Sequence, residues 1–390
     1  MSLLITRRSL LGFGAGMVLS SASTGPAEAA EIRHPCYDYE WPLHWVPARD
    51  RDIVIVRVPP EGITVEDPGL PSQLLLLVAP DEPITGFVRA RFLRYRAVVM
   101  IGASFAKVGH AFRPAQGNRR PIRGGEVFQI SFDNRDEWSG GAPFSFLANI
   151  DFRAADSAWG DFIRTGTKVD GTRRNFAQWS GTMLQKIRVP VGHYGWHVPG
   201  DERTHSDFYQ FPYGGVRGMR VADCDIRWSY QTFFTRIHEG SFPSPLGVNR
   251  FKRVVTRPMP LNRTLFPRSD GYRKAVYLNA VGSYADLAAG RYHGHEIDSW
   301  YAVIDRDTSR QSPRSYFSLP GLSASVRGDT IDWAQSVRPR SPIIRGQITL
   351  GPPPRDFVPP SHAGYQRRIA TREELRAIYE IGQSRLRGRR

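Results

Sequence analysis

The chain has 390 residues and carries 53 Lys and Arg against 37 Asp and Glu, a formal charge of +16. No apolar run after the N-terminus approaches the roughly twenty residues of a membrane-spanning helix, and its two cysteines, Cys36 and Cys224, lack a metal-ligand spacing. Of the 53 basic residues 48 are arginine, an excess that suits an acidic polymer and plain solubility equally.

The first residues read as an address. Thr6-Arg7-Arg8-Ser9-Leu10-Leu11 is a twin-arginine pattern, a moderately apolar run follows to Leu19, and Ala27-Glu28-Ala29 is a small-residue cleavage site. Residues 1–29 are therefore expected to be a signal peptide read by the twin-arginine translocation machinery. The mature protein would be periplasmic or secreted, with no membrane span, and its charge falls to +15 once Arg7, Arg8 and Glu28 leave. Export argues against nucleic acid as a partner. It permits a Cys36–Cys224 disulfide, although an inward Cys224 needs no partner.

Residues 30–52, with Tyr37, Tyr39, Trp41 and Trp45, are expected to cap the first coil of a stacked structure, because an open solenoid end is an exposed sheet edge. Ile53–Val58 and Leu74–Val78 are short continuous apolar runs, the pattern of strands buried on both faces. Phe87–Phe92, Ala97–Ile101 and Val127–Phe132 predict further strands, and Gly109–Gly125 a projecting basic loop.

Three lines of similar grammar follow. Ala148–Arg153 leads to Asp161–Arg164, Gln185–Val189 to His205–Gln210, and Ala222–Trp228 to Tyr230–Arg236. In each, alternation sends apolar residues one way (Ile150/Phe152, Ile187/Val189, Cys224/Ile226/Trp228) and charged ones the other (Asp151/Arg153, Lys186/Arg188, Asp225/Arg227). Ile150, Ile187 and Ile226 are separated by 37 and then 39 residues, and a near-regular repeat of strand units predicts stacked coils. Beyond Gly240 the repeat loosens, with strands expected near Arg250–Val255, Ala275–Ala280, Ser299–Ile304 and Pro342–Leu350. Residues 351–390 read as a proline-rich linker and a short basic helix, opened by the capping box Thr371-Arg-Glu-Glu374 and docked on the last coil.

The run His205-Ser-Asp207-Phe-Tyr-Gln210, then Gly214-Gly215-Val216, Val221-Ala-Asp-Cys-Asp-Ile226 and Tyr230-Gln-Thr-Phe-Phe234, resembles the right-handed parallel β-helix proteins of the pectate-lyase-like superfamily. The resemblance implies an all-β fold, a right-handed parallel β-helix over residues 53–350, whose flat face often carries a polysaccharide groove. The Asn-Thr-Asp-Gly signature of the polygalacturonase-like hydrolases is missing, as is a recognisable arginine and calcium motif of the pectate lyases. A doubly wound α/β fold is rejected, since long amphipathic helices between the strands are missing.

Alternation within His205–Gln210 predicts His205, Asp207 and Tyr209 outward, with Phe208 and Gln210 inward; Gln210 and Gln231 would form an interior ladder. Coils stack about 4.8 Å apart, so Asp161, His205, Asp207, Tyr209 and Arg236 would share one face, with Lys186 and Arg188 on an adjoining one. A uronate lyase could use Arg236, Arg188 or Lys186 to neutralise the sugar carboxylate, a neutral His205 or a lysine as base and Tyr209 as acid. A glycosidase could use Asp161 and Asp207 as its carboxylate pair. The insertion 192–204 supplies His193, Tyr194, Trp196 and His197 for stacking on sugars, and Arg164, Arg227 and Tyr230 complete the expected substrate contacts. No cofactor is required, though a calcium site at Asp151, Asp161 and Asp225 is conceivable. His293-Gly-His295-Glu296-Ile-Asp298 splits its ligands between two faces and does not meet a zinc spacing. The expected protein is a monomer with a polysaccharide as partner, cut by lyase or hydrolase chemistry; the competing class holds a glycan, or serves the envelope structurally, without cutting.

Overall fold

Short β-branched and aromatic runs, closed by glycine, proline or charged corners, favour strands over helices along most of this chain. The computed structural model describes residues 43, 45–106, 127–133, 143–152, 163–168, 181–189, 207–210, 219–229, 231–234, 249–258, 276–277, 295–303, 317–318, 323–327, 330–334, 344–355, 357 and 368–388. All lie in one unit, Pro35–Arg390. In chain order the longer strands are β1 (Ile53–Arg57), β2 (Gly62–Val65), β3 (Leu74–Val78), β4 (Phe87–Leu93), β5 (Ala97–Phe105), β6 (Phe128–Asp133), β7 (Phe144–Phe152), β8 (Ile163–Lys168), β9 (Gly181–Val189), β10 (Asp207–Gln210), β11 (Arg220–Ser229), β12 (Gln231–Phe234) and β13 (Asn249–Pro258). Shorter pieces follow: β14 (Val276–Tyr277), β15 (His295–Ile297), β16 (Trp300–Ala302), β17 (Phe317–Ser318), β18 (Ser323–Arg327), β19 (Thr330–Ala334), β20 (Ile344–Arg345) and β21 (Ile348–Leu350). Helix α1 is Arg372–Arg387.

From β2 to β13 successive strands alternate between two sheets. The even ones form a six-stranded sheet (the small sheet) in the order β12-β10-β8-β6-β4-β2, and the odd ones head a thirteen-stranded sheet (the large sheet). Every described pairing among these strands is parallel. Only at the far end do β18 and β19, and β19 and β21, pair antiparallel. The architecture is mostly β with long parallel sheets and one described helix, consistent with an all-β parallel solenoid. The strand β2 and the antiparallel pair β18–β19 were not anticipated by the sequence patterns.

One apolar cluster joins the two sheets, taking Val88, Phe128, Ile163, Tyr209 and Phe233 from the small sheet and Leu77, Met100, Leu147, Leu184, Val221 and Phe251 from the large one. The continuous run of β3 is explained by burial on both faces. Leu75 and Leu77 join this inner cluster, while Leu74, Leu76 and Val78 join a second, outer cluster.

The large sheet carries a column of left-handed residues. Gly102, Asn149, Lys186, Asp223 and Arg253 have φ of 78°, 57°, 52°, 55° and 50°, and the strand registers set them opposite one another from β5 to β13. Each interrupts the two-residue alternation. Leu147 and Ile150, Leu184 and Ile187, Val221 and Cys224, and Phe251 and Val254 all enter the inner cluster although each pair is three residues apart. A strict alternation would send the second member outward. The left-handed residue restores it, so the strand keeps feeding one core on both sides of the corner. Asp223 and Arg253 add a two-bond ion pair within this column, with Arg253 Nη2 2.8 Å from Asp223 Oδ2.

The register also amends the repeat. Ile150 pairs with Ile187, but Val189 is what pairs with Ile226, so the residue stacked on Ile187 is Cys224, a second step of 37 residues. The face opposite the apolar one is not a solvated charged face: Asp151 is fully buried and Asp225 is 2% exposed.

The outer cluster shows where α1 goes. Leu375 and Ile378 pack with Leu43, Val46, Leu76, Val99 and Phe146, over the first strands of the large sheet and not on the last coil as expected. Arg372 Nε donates to the carbonyl of Ile53 at 3.0 Å, Arg376 Nη2 to that of Pro47 at 2.9 Å, and the amide of Ile369 to Ile101 at 3.0 Å. The capping box forms: the Glu374 amide donates to Thr371 Oγ1 at 3.2 Å and the Thr371 amide to Glu374 Oε2 at 3.1 Å. The expected cap segment contributes Leu43 and Val46 to this outer layer, and Trp45 lies 4.6 Å from the guanidinium of Arg96.

The corner geometry makes a prediction. A left-handed non-glycine residue costs roughly 1–2 kcal/mol, and glycine returns about 0.5–1 kcal/mol of that as unfolded-state entropy. Lys186→Gly is therefore expected to leave stability unchanged or raise it by up to about 1 kcal/mol, whereas Lys186→Val lowers it by at least about 1–2 kcal/mol. Urea midpoints at constant slope check this, and equal effects of the two substitutions would contradict it.

Candidate functional site

Period-two alternation in the small sheet sends one set of side chains into the core and the next set to the outer face. Val88, Phe128, Ile163, Tyr209 and Phe233 are buried and in register across five strands. The next residue along each strand defines a second row: Thr64, Arg89, Gln129, Arg164, Gln210 and Phe234, one from each of the six strands, all in register. Thr64 is exposed and Arg89 and Gln129 are half-buried. Neighbouring members stand about 4.8 Å apart along the row.

Two local features fix the described part of this row. The guanidinium of Arg89 lies over the ring of Phe87, 4.5 Å from its centroid, a cation–π arrangement that holds the side chain against the sheet. The β4–β6 register slips between Ala90 and Leu93, so β4 carries an extra residue there. A bulge of this kind re-aims a side chain. Arg91, in the bulge, donates from Nε to Gln129 Oε1 at 2.7 Å. With its oxygen taken by Arg91, the Gln129 amide turns its nitrogen, a donor, away from that pair. The result is a basic, hydrogen-bond-donating strip on a rigid parallel sheet, suited to carboxylates or sulfates and to sugar hydroxyls.

The sequence-expected site residues separate into groups. Asp207 and Arg164 lie on β10 and β8 of the small sheet, with Asp207 opposite Gln231 and Arg164 opposite Gln210. His205, Asp161, Arg236, His193, Tyr194, Trp196, His197 and Tyr230 lie outside the described residues, as do the loop Gly109–Gly125, Cys36 and His293.

Tyr209 is corrected. It is fully buried, and its hydroxyl donates to Thr182 Oγ1 at 3.1 Å, which also takes a bond from Ser145 Oγ at 3.3 Å. Phe208 is buried beside it, so this short strand end fills the core with both aromatics. A phenol sealed in that interior hydrogen-bond chain is not available to protonate a leaving group in a groove. The expected inward ladder of Gln210 and Gln231 is likewise not what the register gives, because Gln210 shares a row with Arg89 and Gln129 while Gln231 stands opposite Asp207.

Lys186, Arg188 and Arg227 belong to β9 and β11 of the large sheet, away from Asp207 and Arg164. Lys186 occupies the left-handed corner. Arg188 sits in register between Asp151 and Asp225, one on each neighbouring strand, with its Nε 3.2 Å from Asp151 Oδ1. That arrangement also answers the calcium reading. The two aspartates are two strand spacings apart, about 9.6 Å, and the positive charge between them is a guanidinium. Among the described residues no three His, Cys, Asp or Glu converge on one point.

Farther along the large sheet, Glu296 pairs with Arg250, and Asp298 with Lys252 at 3.5 Å. Burial holds the guanidinium of Arg220 down to about 10, helped by the like charge of Arg250 and opposed by Glu296. Cys224 is a free, fully buried thiol whose burial pushes its pKa up, out of the range of a nucleophile.

Sequence reasoning passed over Arg89, Arg91 and Gln129. A signal was there, since Arg89 and Arg91 alternate with Val88 and Ala90; what could not be read was the register that aligns Arg89 with Gln129. Comparison of the chain with known protein families, with curated proteins and with solved structures finds no match in any of the three. Among the described residues no helix is long and apolar enough to cross a membrane.

The buried row generates a test of its own. Removing Arg188 leaves Asp151 buried without that partner, so Arg188→Met is expected to cost about 3–5 kcal/mol, most of it recovered in Arg188→Met/Asp151→Leu. Chemical denaturation of the four species measures the coupling. A cost below about 1 kcal/mol for the single change would contradict a structural role for Arg188.

Proposed function

We propose that this protein is exported by the twin-arginine route, is cut after Ala29, folds as a right-handed parallel β-helix of the pectate-lyase-like kind, and works on an acidic polysaccharide at the outer face of the small sheet. The observation that carries the reading is the in-register row through Arg89, Gln129 and Arg164, with Arg91 fixing Gln129. Parallel strands set these residues at a constant stride, and a linear polymer is the ligand that uses a constant stride. The arginine excess of the chain adds a long-range attraction for polyanions.

Cleavage would draw on Arg89, Arg164 and Asp207 of this sheet together with His205 and Asp161, which lie outside the described residues. In lyase chemistry Arg89 or Arg164 neutralises the uronate carboxylate and a neutral His205 removes the proton beside it, while the glycosidic C–O bond breaks and the leaving oxygen takes a proton from water. In hydrolysis Asp161 and Asp207 act as acid and base or as acid and nucleophile. The inward position of Tyr209 favours a second reading, in which the face binds the glycan without cutting it, because the expected general acid is in the core.

The test is a depolymerisation and binding screen on protein processed from the full chain, with pectate, alginate, glycosaminoglycans and neutral glucans, each with calcium and with chelator. Expected is retention of acidic polymers but not neutral ones, weakening steeply with salt. Growth of ultraviolet absorbance identifies a lyase and should fall at least about a hundredfold in His205→Ala; reducing ends without absorbance identify a hydrolase and should fall as far in Asp207→Asn. Binding without cleavage selects the second reading. Failure to bind any acidic polymer at low salt sinks the proposal.

A further inference from the structure

The outer face of the large sheet holds a polar side chain that its neighbours cannot serve. On β9, Met183 packs in the outer cluster and Leu184 in the inner one, so Gln185 faces outward again. It is 1% exposed, and neither its Nε2 nor its Oε1 has a hydrogen-bond partner among the described residues. The register gives the reason. Beside Gln185 stand Ala148 on β7 and Ala222 on β11, whose methyl groups neither donate nor accept. A buried amide left unpaired is costly and calls for an explanation.

Cations lie close by on the same face. Val221 faces the inner cluster, so Arg220 before it faces outward. Arg220 is in register with Met183 and diagonal to Gln185, about 8 Å away between backbones, within reach of two long side chains. Arg250 follows in register on β13 and pairs with Glu296. Burial and the like charge of Arg250 both press on the Arg220 guanidinium, a strain that an anion between the two arginines relieves. Depth increases along this line. The Arg250 side chain is 46% exposed, Arg220 is 9% exposed and Gln185 1%.

We infer that this part of the large sheet binds a small hydroxycarboxylate, its carboxylate at Arg220 and Arg250 and its hydroxyl on the Gln185 amide. Oε1 needs a donor and Nε2 an acceptor. A hydroxyl is both, whereas a carboxylate oxygen only accepts. The two arginines then select an acid over a neutral sugar. The site lies on the other sheet from Arg89 and Gln129 and does not rest on the polysaccharide reading.

Calorimetry at low salt, on protein processed from the full chain, compares galacturonate with galactose, acetate and inorganic phosphate. Expected is binding of galacturonate at least about tenfold tighter than of acetate or phosphate, and no measurable binding of galactose. Acetate or phosphate binding as tightly as galacturonate overturns the assignment, as does a failure to bind galacturonate. Arg250→Gln, at the exposed end of the line, is expected to weaken galacturonate at least about tenfold. Gln185→Met is expected to weaken it as far and, without ligand, to raise the urea midpoint, because an apolar chain of similar length replaces an unpaired buried amide. A lowered midpoint would mean that the protein itself partners the amide. Unaltered binding in both variants would put the ligand elsewhere. Either result overturns the proposal.

Discussion

The column of left-handed residues at the corner of the large sheet is the constraint on which the rest depends. A parallel strand that bends must lose its alternation once, or half of its apolar residues would point at water. Gly102 does this without penalty, while Asn149, Lys186, Asp223 and Arg253 together cost roughly 4–8 kcal/mol. Against that stand Phe105, Ile150, Phe152, Ile187, Val189, Ile226 and Val254, which the corner returns to the core. At roughly 1.5–3 kcal/mol for each buried side chain, their burial exceeds the strain. Repeating the same backbone conformation in successive strands keeps them in register across the bend.

Register is what turns this fold into a surface with a function. The same alignment that stacks Val88, Phe128, Ile163, Tyr209 and Phe233 inside gives Arg89, Gln129, Arg164 and Gln210 one common register position across four strands. The outer faces are handled differently around the molecule. Beneath α1 the large sheet is apolar, and Leu375 and Ile378 cover it. Past β9 it becomes ionic, with Arg250 and Lys252 answered by Glu296 and Asp298. Beyond the corner Arg188 pairs with buried Asp151. On the small sheet the Arg89 guanidinium lies over the ring of Phe87 and Arg91 donates to Gln129.

Much of the strand content was legible because burial on one or two faces leaves plain patterns, as in Leu74–Val78 and in Ala148–Phe152, although the first half of β7, from Phe144, was not anticipated. The capping box of α1 was legible because it is local. Its docking place was not, since the pattern of Leu375 and Ile378 names an apolar partner without saying which. Tyr209 was misread for a physical reason: strict alternation admits only one of Phe208 and Tyr209 to the core, whereas both are buried. Asp151 and Asp225 were read as calcium ligands because a sequence cannot reveal an arginine that register sets between them. The row of Arg89, Gln129 and Arg164 draws on segments 40 and 35 residues apart, and only strand pairing relates them.

The central claim is that this row is in register across the small sheet. Its most direct test is a pulsed electron–electron distance measurement between spin labels at Thr64→Cys and Gln210→Cys, with Cys36 replaced and the buried Cys224 left in place. Four strand spacings separate the two positions, so a narrow distribution near 19 Å is expected after allowance for the label arms. A broad distribution, or a peak far beyond that separation, would mean that β2 and β10 do not share one regular sheet, and the row with everything built on it would fall.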